Sequence, residues 1–578
     1  MRRMATSATG KRAAGLLVAG AIACSMTVGC LPAVPRAYAA EGVITINQRA
    51  NAEARYTMYQ VFVADINDED IATHVAWSPA NKEAVTTFLG KDAGQTGATT
   101  SYAAWLAARS KSGDAVRDNA QNAAEYISEM IAASADVPET GPIAAKQSGS
   151  FAENLAQHLA ACGSPSSPET AVAGTPYANA EGYYLAVSST ASIGEGEAGS
   201  APMWIPLGGS MQTIDAKEDA PSLAFHVRED RDGSGWGKAA DSCIGQDLPF
   251  RIRGSLPADI GAYDSYHDRY AVTLAPGVEL AGGDVSLVSV SVGGSDVTKL
   301  ASIEHDDGTL VIDIADLKAV SEISANDDVE VDFAAHLTGN AAVGEAGNVT
   351  AVERTYTADP VTLAERTAPK LAVSNYAYQL QAVKVDKSTG ERLSGARFTV
   401  RASDGTAQDK DGLPSAQAPN ANTDAESVGL FVQADGSLGG QPHEFASGPD
   451  GELAIPAMDE GVYVVHETAA PGGYEPQDTD IVLTIATELD QNEGALASLS
   501  AHVAGGEAAS VEGDEATRLL SVSKRSGTVR LQAADDRMLE LAGTGLQGNG
   551  ALFVAAGLLA GAGTTGLAAT GRKRREGK

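Results

Sequence analysis

The chain has 578 residues, enough for roughly three to four domains, with 41 Lys and Arg against 75 Asp and Glu for a formal charge of −34. That balance excludes a basic face that would grip nucleic acid phosphates. Aromatic residues are 5%, glycine numbers 62, and 43% of residues are hydrophobic, which fits a turn-rich chain with modest cores rather than a disordered polymer or one large enzyme core. Four cysteines are too few to staple such a length.

Residues 1–40 read as a secretory signal. Arg2, Arg3, Lys11 and Arg12 form a basic start, an uncharged run extends from Ala13 to Pro35, and Ala37-Tyr38-Ala39 is a small-x-small cleavage site. Residues 41–215 follow. Val43-Ile44-Thr45-Ile46 and Tyr56-Thr57-Met58-Tyr59-Gln60-Val61-Phe62 predict strands, Ser101 to Ala132 and Phe151 to Cys162 predict helices, and Gly182-Tyr183-Tyr184-Leu185 returns to strand. Phe151, Leu155 and Leu159 make an i, i+4, i+8 stripe that reads as core packing. The strand openings and the G-Y-Y-L string resemble the N-terminal α+β domain of Gram-positive shaft pilins. That family carries a linking lysine where its first domain meets its second. Lys217, in Ile214-Asp215-Ala216-Lys217-Glu218-Asp219-Ala220-Pro221, matches by position, with Asp215-Ala216 where Tyr-Pro is usual. A solvated linker lysine is the alternative for Lys217.

Residues 216–365 predict a β-rich unit, from Trp236 through Leu248-Pro249-Phe250-Arg251-Ile252 to Val329-Glu330-Val331-Asp332-Phe333 and Asn348. This looks like the isopeptide-forming second domain of fimbrial shaft pilins, a β-sandwich in which Asn348 would be the acceptor and Asp268 the acid. The lysine of that chemistry is missing: Leu223-Ala224-Phe225-His226-Val227 offers Phe225 or His226 in its place. No internal amide is expected here, and Asp268 and Asn348 are read as buried polar residues with their hydrogen bonds made.

Residues 376–537 open with the alternating strand Gln379-Leu380-Gln381-Ala382-Val383-Lys384-Val385-Asp386, turn at Lys387-Ser388-Thr389-Gly390, and continue through Phe398-Thr399-Val400 to Glu467-Thr468-Ala469-Ala470-Pro471-Gly472-Gly473-Tyr474. Short strands between Gly and Pro turns predict a sandwich or barrel. Residues 405–449 read as an inserted loop or hairpin. The E-T-A-A-P-x-G-Y string closely resembles the SpaA-type, collagen-adhesin B-domain, prealbumin-like fold. The resemblance implies an internal amide, with Lys384 as nucleophile, Glu467 as catalytic acid and Asp535, on Thr528-Val529-Arg530-Leu531-Gln532-Ala533-Ala534-Asp535, as acceptor. The family usually has Asn there, so here water would leave instead of ammonia. Physics agrees with the placement: Lys384 shares its strand face with Leu380 and Ala382. Burial among apolar side chains favours the neutral amine and neutral acid that the chemistry needs. Three solvated charges or an ordinary ion pair are the alternative.

The C-terminal residues 541–578 form a second processing signal. From Leu541 to Gly571 there are 31 uncharged residues, followed by Arg572-Lys573-Arg574-Arg575. Ala551 to Ala569 is long enough for a membrane helix with its basic flank on the cytoplasmic side. Leu541-Ala542-Gly543-Thr544-Gly545 resembles the LPxTG sorting signal of Gram-positive wall proteins, with Ala542 in place of Pro. The resemblance implies that a sortase cysteine attacks the carbonyl of Thr544, releases Gly545 onward, and yields an acyl-enzyme that an amine resolves. Cleaved at both ends, the chain would hold 31 basic and 74 acidic residues, a charge of −43, which suits an exposed secreted protein.

Gly543-Thr544-Gly545-Leu546-Gln547-Gly548 fits G-x-G-x-x-G but has no βαβ unit around it. The nine histidines show no metal spacing, and H-E-x-x-H and C-x-x-C are absent. No cofactor, no metal and no enzyme activity on other molecules is expected. Cys162 and Cys243, the cysteines outside the leader, either pair across the first two segments or stay as thiols. The sequence therefore predicts a mainly β chain of tandem Ig-like or prealbumin-like sandwiches after an α+β domain. It predicts a wall-anchored pilin subunit on the cell surface whose partners are sortase, identical or other pilin subunits, peptidoglycan and a host surface ligand. A monomeric adhesin on the same anchor is the alternative.

Overall fold

Alternating apolar residues carry nearly all of the architecture. The computed structural model describes residues 41–47, 53–68, 72–85, 87–88, 124, 151–163, 169–209, 213–216, 221–229, 235–320, 323–404, 406–408, 414–417, 427–477, 479–505 and 520–538. The signal segment, the first predicted helix apart from Ala124, Lys217 and the sorting segment 541–578 lie outside the described residues. Among the described residues no helix is long and apolar enough to cross a membrane.

The N-terminal part is a mixed α+β layer. Strands Arg55–Ile66, Ala72–Trp77, Gly182–Ser188 and Met203–Leu207 form one sheet, joined at its side by Glu169–Val172. The helix Phe151–Cys162 covers that sheet, with Leu155 and Leu159 fully buried beside Phe62, Leu185 and Val187. Its predicted limits agree with the structure, as does the core role of Leu155 and Leu159. A second, three-stranded sheet centres on Glu41–Asn47, which pairs antiparallel with Tyr177–Ala180 and parallel with Thr213–Asp215.

The middle part is a sandwich of two seven-stranded sheets. In the strand Asp328–Leu337 every second residue is buried, and Phe333 stacks on Phe250 at 5.1 Å across the pair. The outward residues of the same two strands form a charge ladder, with Arg251 to Asp332 at 2.7 Å and Arg253 to Glu330 at 2.5 Å. Such cross-strand pairs are the unit of sheet stabilisation.

The C-terminal part is a second sandwich. Its smaller sheet has the order Glu452–Met458, Tyr378–Asp386, Thr528–Asp535, Leu520–Ser523. Its larger sheet is built on Arg397–Ser403, Gly461–Ala469, Ile481–Asp490 and Ala495–Gly505. Within the expected insertion, Thr406–Gln408 pairs with Pro414–Gln417 as a hairpin, while Phe431–Val432, Leu438–Gly439 and Phe445–Ala446 join the larger sheet. The insertion is thus partly absorbed into the sandwich. The two sandwiches touch backbone to backbone where Gly344 meets Gly527. Both have positive φ, and a side chain at either position would run into the other's main chain.

Candidate cross-linking site

The first and last strands of the C-terminal sandwich, Tyr378–Asp386 and Thr528–Asp535, lie side by side and parallel, with Lys384 opposite Ala533 and Asp386 opposite Asp535. Alternation then fixes which side chains enter the core. Leu380, Ala382 and Lys384 face inward from one strand, and Val529, Leu531, Ala533 and Asp535 from the other. The strand Gly461–Ala469 of the opposing sheet brings Glu467 inward between exposed His466 and Thr468.

These three side chains meet. Lys384 Nζ donates to Asp535 Oδ1 and lies 2.9 Å from Glu467 Oε1, and the side chains are at most 1% exposed. The Phe398 ring, on the strand paired with Glu467, sits 5.4 Å from Nζ and closes the apolar side. Burial, opposed by the nearby Lys384 ammonium and reinforced by the neighbouring Glu467 carboxyl, pushes Asp535 up to about 6. Lys384 Nζ is the charge partner of Glu467 Oε1, whereas Asp535 Oδ2 has no hydrogen-bond donor among the described residues. The arrangement is an amine against a carboxyl in a dry pocket, with a second acid beside them.

Around the site, Asp386 accepts from the Ser388 hydroxyl at 2.6 Å and from the Tyr474 hydroxyl at 2.9 Å. These bonds, the one from Ser388 foremost, hold its carboxyl well below the usual range. Nothing in the spacing of Lys387-Ser388-Thr389-Gly390 pointed to Tyr474 as partner, because that contact spans 88 positions.

The middle sandwich is organised differently. Asp268 lies opposite Tyr356 on the strand Asn348–Thr357, whereas Asn348 starts that strand. Eight positions at about 3.3 Å per residue put the two roughly 26 Å apart. Asn348 spends its amide on Ala342 N, Ala342 O and Asn375 O, at 2.9 to 3.0 Å. Asp268 takes a two-pronged ion pair from Arg354, at 2.8 Å on each oxygen, and a bond from the Tyr270 hydroxyl at 2.9 Å. The remaining Arg354 donors reach the Ser222 and Ser255 carbonyls at 2.9 to 3.1 Å. Both residues are thus buried polar groups with their bonds made, as expected from the missing lysine, and Phe225 occupies the core at 2% exposure. Arg354 escaped the sequence reading, although it has the parity of buried Val352 and Tyr356 on an alternating strand. An arginine on the inward face of a strand was the available signal.

Of the two alternatives left open for Cys162 and Cys243, the structure has the thiols. Neither is in a disulfide. Cys162 is exposed at the end of its helix beside His158, while Cys243 is buried with its Sγ 3.3 Å from Gln246 Oε1. Among the described residues no group of His, Cys, Asp and Glu is arranged to hold a metal ion.

Residues 378–495 match the family model of the SpaA prealbumin-like fold domain. No curated protein matches the chain. Among solved structures, the chain is similar to the T6 backbone pilin of serotype M6 Streptococcus pyogenes, at 13% identity over 86% of this chain and 99% of that one, with a TM-score of 0.48. It is also similar to the major pilin SpaD of Corynebacterium diphtheriae, at 12% identity over 87% and 98% with a TM-score of 0.44. The major pilin SpaA of the same organism gives 13% identity over 86% and 100%, with a TM-score of 0.40.

Proposed function

We propose that this chain is a structural subunit of a surface pilus, stiffened by an internal Lys384–Asp535 amide and joined to its neighbours and to peptidoglycan by sortase acyl transfer. The observation that carries this reading is the buried meeting of Lys384, Asp535 and Glu467 in a domain that matches the SpaA family model. A lysine and two carboxylates sealed in one apolar pocket are costly to keep ionised. Moving one proton from the ammonium to the carboxylate turns the ion pair into the neutral amine and acid that condense. Nζ then forms a bond to the Asp535 carboxyl carbon, one carbon–oxygen bond breaks, and water leaves. Glu467 donates to the carboxyl in the addition step and takes the amine proton.

The sequence signals support the rest of the reading: a leader at residues 1–40, the Leu541-Ala542-Gly543-Thr544-Gly545 motif, the long uncharged stretch behind it and the closing basic cluster. Sortase is the partner that would take Thr544, and Lys217 the amine that would extend a fibre. Envelope material released by wall digestion and boiled in detergent should run as a ladder of sizes. Its branched peptides should join Thr544 of one copy to Lys217 of the next. A single band ending at Thr544 on a wall fragment would replace the pilus with a monomeric adhesin. Material that still carried Arg572 to Lys578 would remove sortase processing altogether.

A further inference from the structure

The loop Pro471–Gln477 follows directly on Glu467-Thr468-Ala469-Ala470 and contacts the three strands that supply Lys384, Glu467 and Asp535. The Gln477 main-chain N–H donates to Glu467 Oε2 at 2.9 Å, and its side-chain amide donates to the Ala534 carbonyl at 3.2 Å. Glu475 N–H donates to the Asp536 carbonyl at 3.1 Å, and Met538 N–H donates to the Gly473 carbonyl at 2.8 Å. Tyr474 donates its hydroxyl to Asp386 at the end of the first strand, and receives Arg537 Nη2 at 3.3 Å with that guanidinium 5.7 Å from its ring centre.

We propose that this loop is a positioning clasp for amide formation, in which Gln477 orients Glu467 and holds Asp535 against Lys384. The inference rests on the cross-linking reading above and adds a residue to it. With a main-chain donor committed to Oε2, Glu467 is turned so that Oε1 faces the reaction, 2.9 Å from Lys384 Nζ. The side-chain amide of the same residue fixes the peptide group immediately before the acceptor. One residue thereby sets both the acid and the electrophile, from two different sheets. Gln477 touches neither reacting atom, so its role is positioning. The balance of the step is unchanged: a C–N bond forms, a C–O bond of Asp535 breaks, and the hydroxyl leaves as water with one amine proton relayed through Glu467. Orientation of this kind governs rate steeply, a misplacement of about 1 Å costing roughly a hundredfold.

The test follows closure by the intact mass of the full secreted chain after a labelling pulse. Gln477→Ala keeps the main-chain donor and loses the contact to Ala534, and Gln477→Pro loses both. The wild type should lose about 18 Da, one water, within the pulse, and both variants should close roughly ten- to a hundredfold more slowly. The slow variants are then purified before closure and shifted through a series of pH values. Gln477→Pro should close with a pH profile displaced from that of Gln477→Ala, because only the proline variant removes the donor on Glu467 Oε2. Thermal unfolding against uncross-linked Lys384→Ala shows whether the proline variant folds, and if it does not, the alanine variant decides. Closure of Gln477→Ala at the wild-type rate overturns the clasp. A wild-type chain that never loses water overturns the cross-link itself.

Discussion

Arg354 and Asp268 show what a buried charge pair does when no covalent bond replaces it. Both side chains are 0% exposed, and the guanidinium uses its donors on Asp268, Ser222 and Ser255. Removing one partner leaves the other charged in a dry core, so Arg354→Met or Asp268→Leu alone should cost about 3–5 kcal/mol in denaturant unfolding. The double change to Met and Leu should cost far less, since well-packed apolar replacements of buried pairs are often neutral. Asp535 gives a different signature. In Lys384→Met no amide forms, and burial together with Glu467 keeps the Asp535 carboxyl raised from its ordinary range. The folded state then holds a proton that the unfolded state releases. Stability is therefore fully present below about pH 4 at this site and declines as pH rises through about 6 and beyond. Thermal unfolding of Lys384→Met should show a higher midpoint at pH 5 than at pH 7.5. An unchanged or rising midpoint contradicts the assignment.

At the scale of elements, the decisive fact is that the first and last strands of the C-terminal sandwich are parallel neighbours. Parallel neighbours must be joined by a long connection, and here that connection is the rest of the domain. An amide between Lys384 and Asp535 would close that loop. Much of this was legible in the sequence. Alternation put Lys384 on the core face with Leu380 and Ala382, and the last strand has the same parity at Leu531, Ala533 and Asp535, but the reactive roles of Lys384 and Asp535 came from the family resemblance. Glu467 needed the family resemblance, since nothing local says that its strand lies across the core. The Gln477 side-chain contact and the Tyr474–Arg537 contact were not legible, because they depend on partners 57 and 63 positions away. His267 is a further case. Burial opposes its charge, but Glu365 at 2.6 Å and Asp313 at 3.3 Å outweigh it and raise its pKa. Its contribution is full below the ordinary histidine value of about 6.5 and is lost as pH rises through the higher folded value. Glu365→Gln should lower the His267 pKa measured by NMR, and an unchanged titration would deny the coupling.

At the scale of the molecule, neighbouring units share core residues. Val361 of the middle sandwich packs in the N-terminal core, and Ile193 of the N-terminal part packs in the middle core. Ala239 and Ala457 make the same exchange at the other joint. Arg366 also donates to the Thr190 and Ile193 carbonyls at 2.6 and 2.7 Å, and Lys524 meets Glu345 at 3.1 Å. A load entering after Asp535 would pass through the amide to Lys384 and along one strand into the middle sandwich, bypassing residues 385–534. Pulling single chains from both ends should show extension from the middle sandwich, held by Arg354 and hydrogen bonds. It should show none from the bypassed 150 residues, which would otherwise release roughly 500 Å. Lys384→Ala should restore that missing length, and its appearance in the wild type would contradict the load path.

The most direct measurement of the whole account is the mass of an intact C-terminal fragment from the mature wild-type protein, cut between the two sandwiches. A cross-linked fragment should show a deficit of about 18 Da against the sequence mass, abolished by Lys384→Ala, by Asp535→Ala and by Glu467→Ala. A wild-type fragment at its full sequence mass would contradict the cross-link.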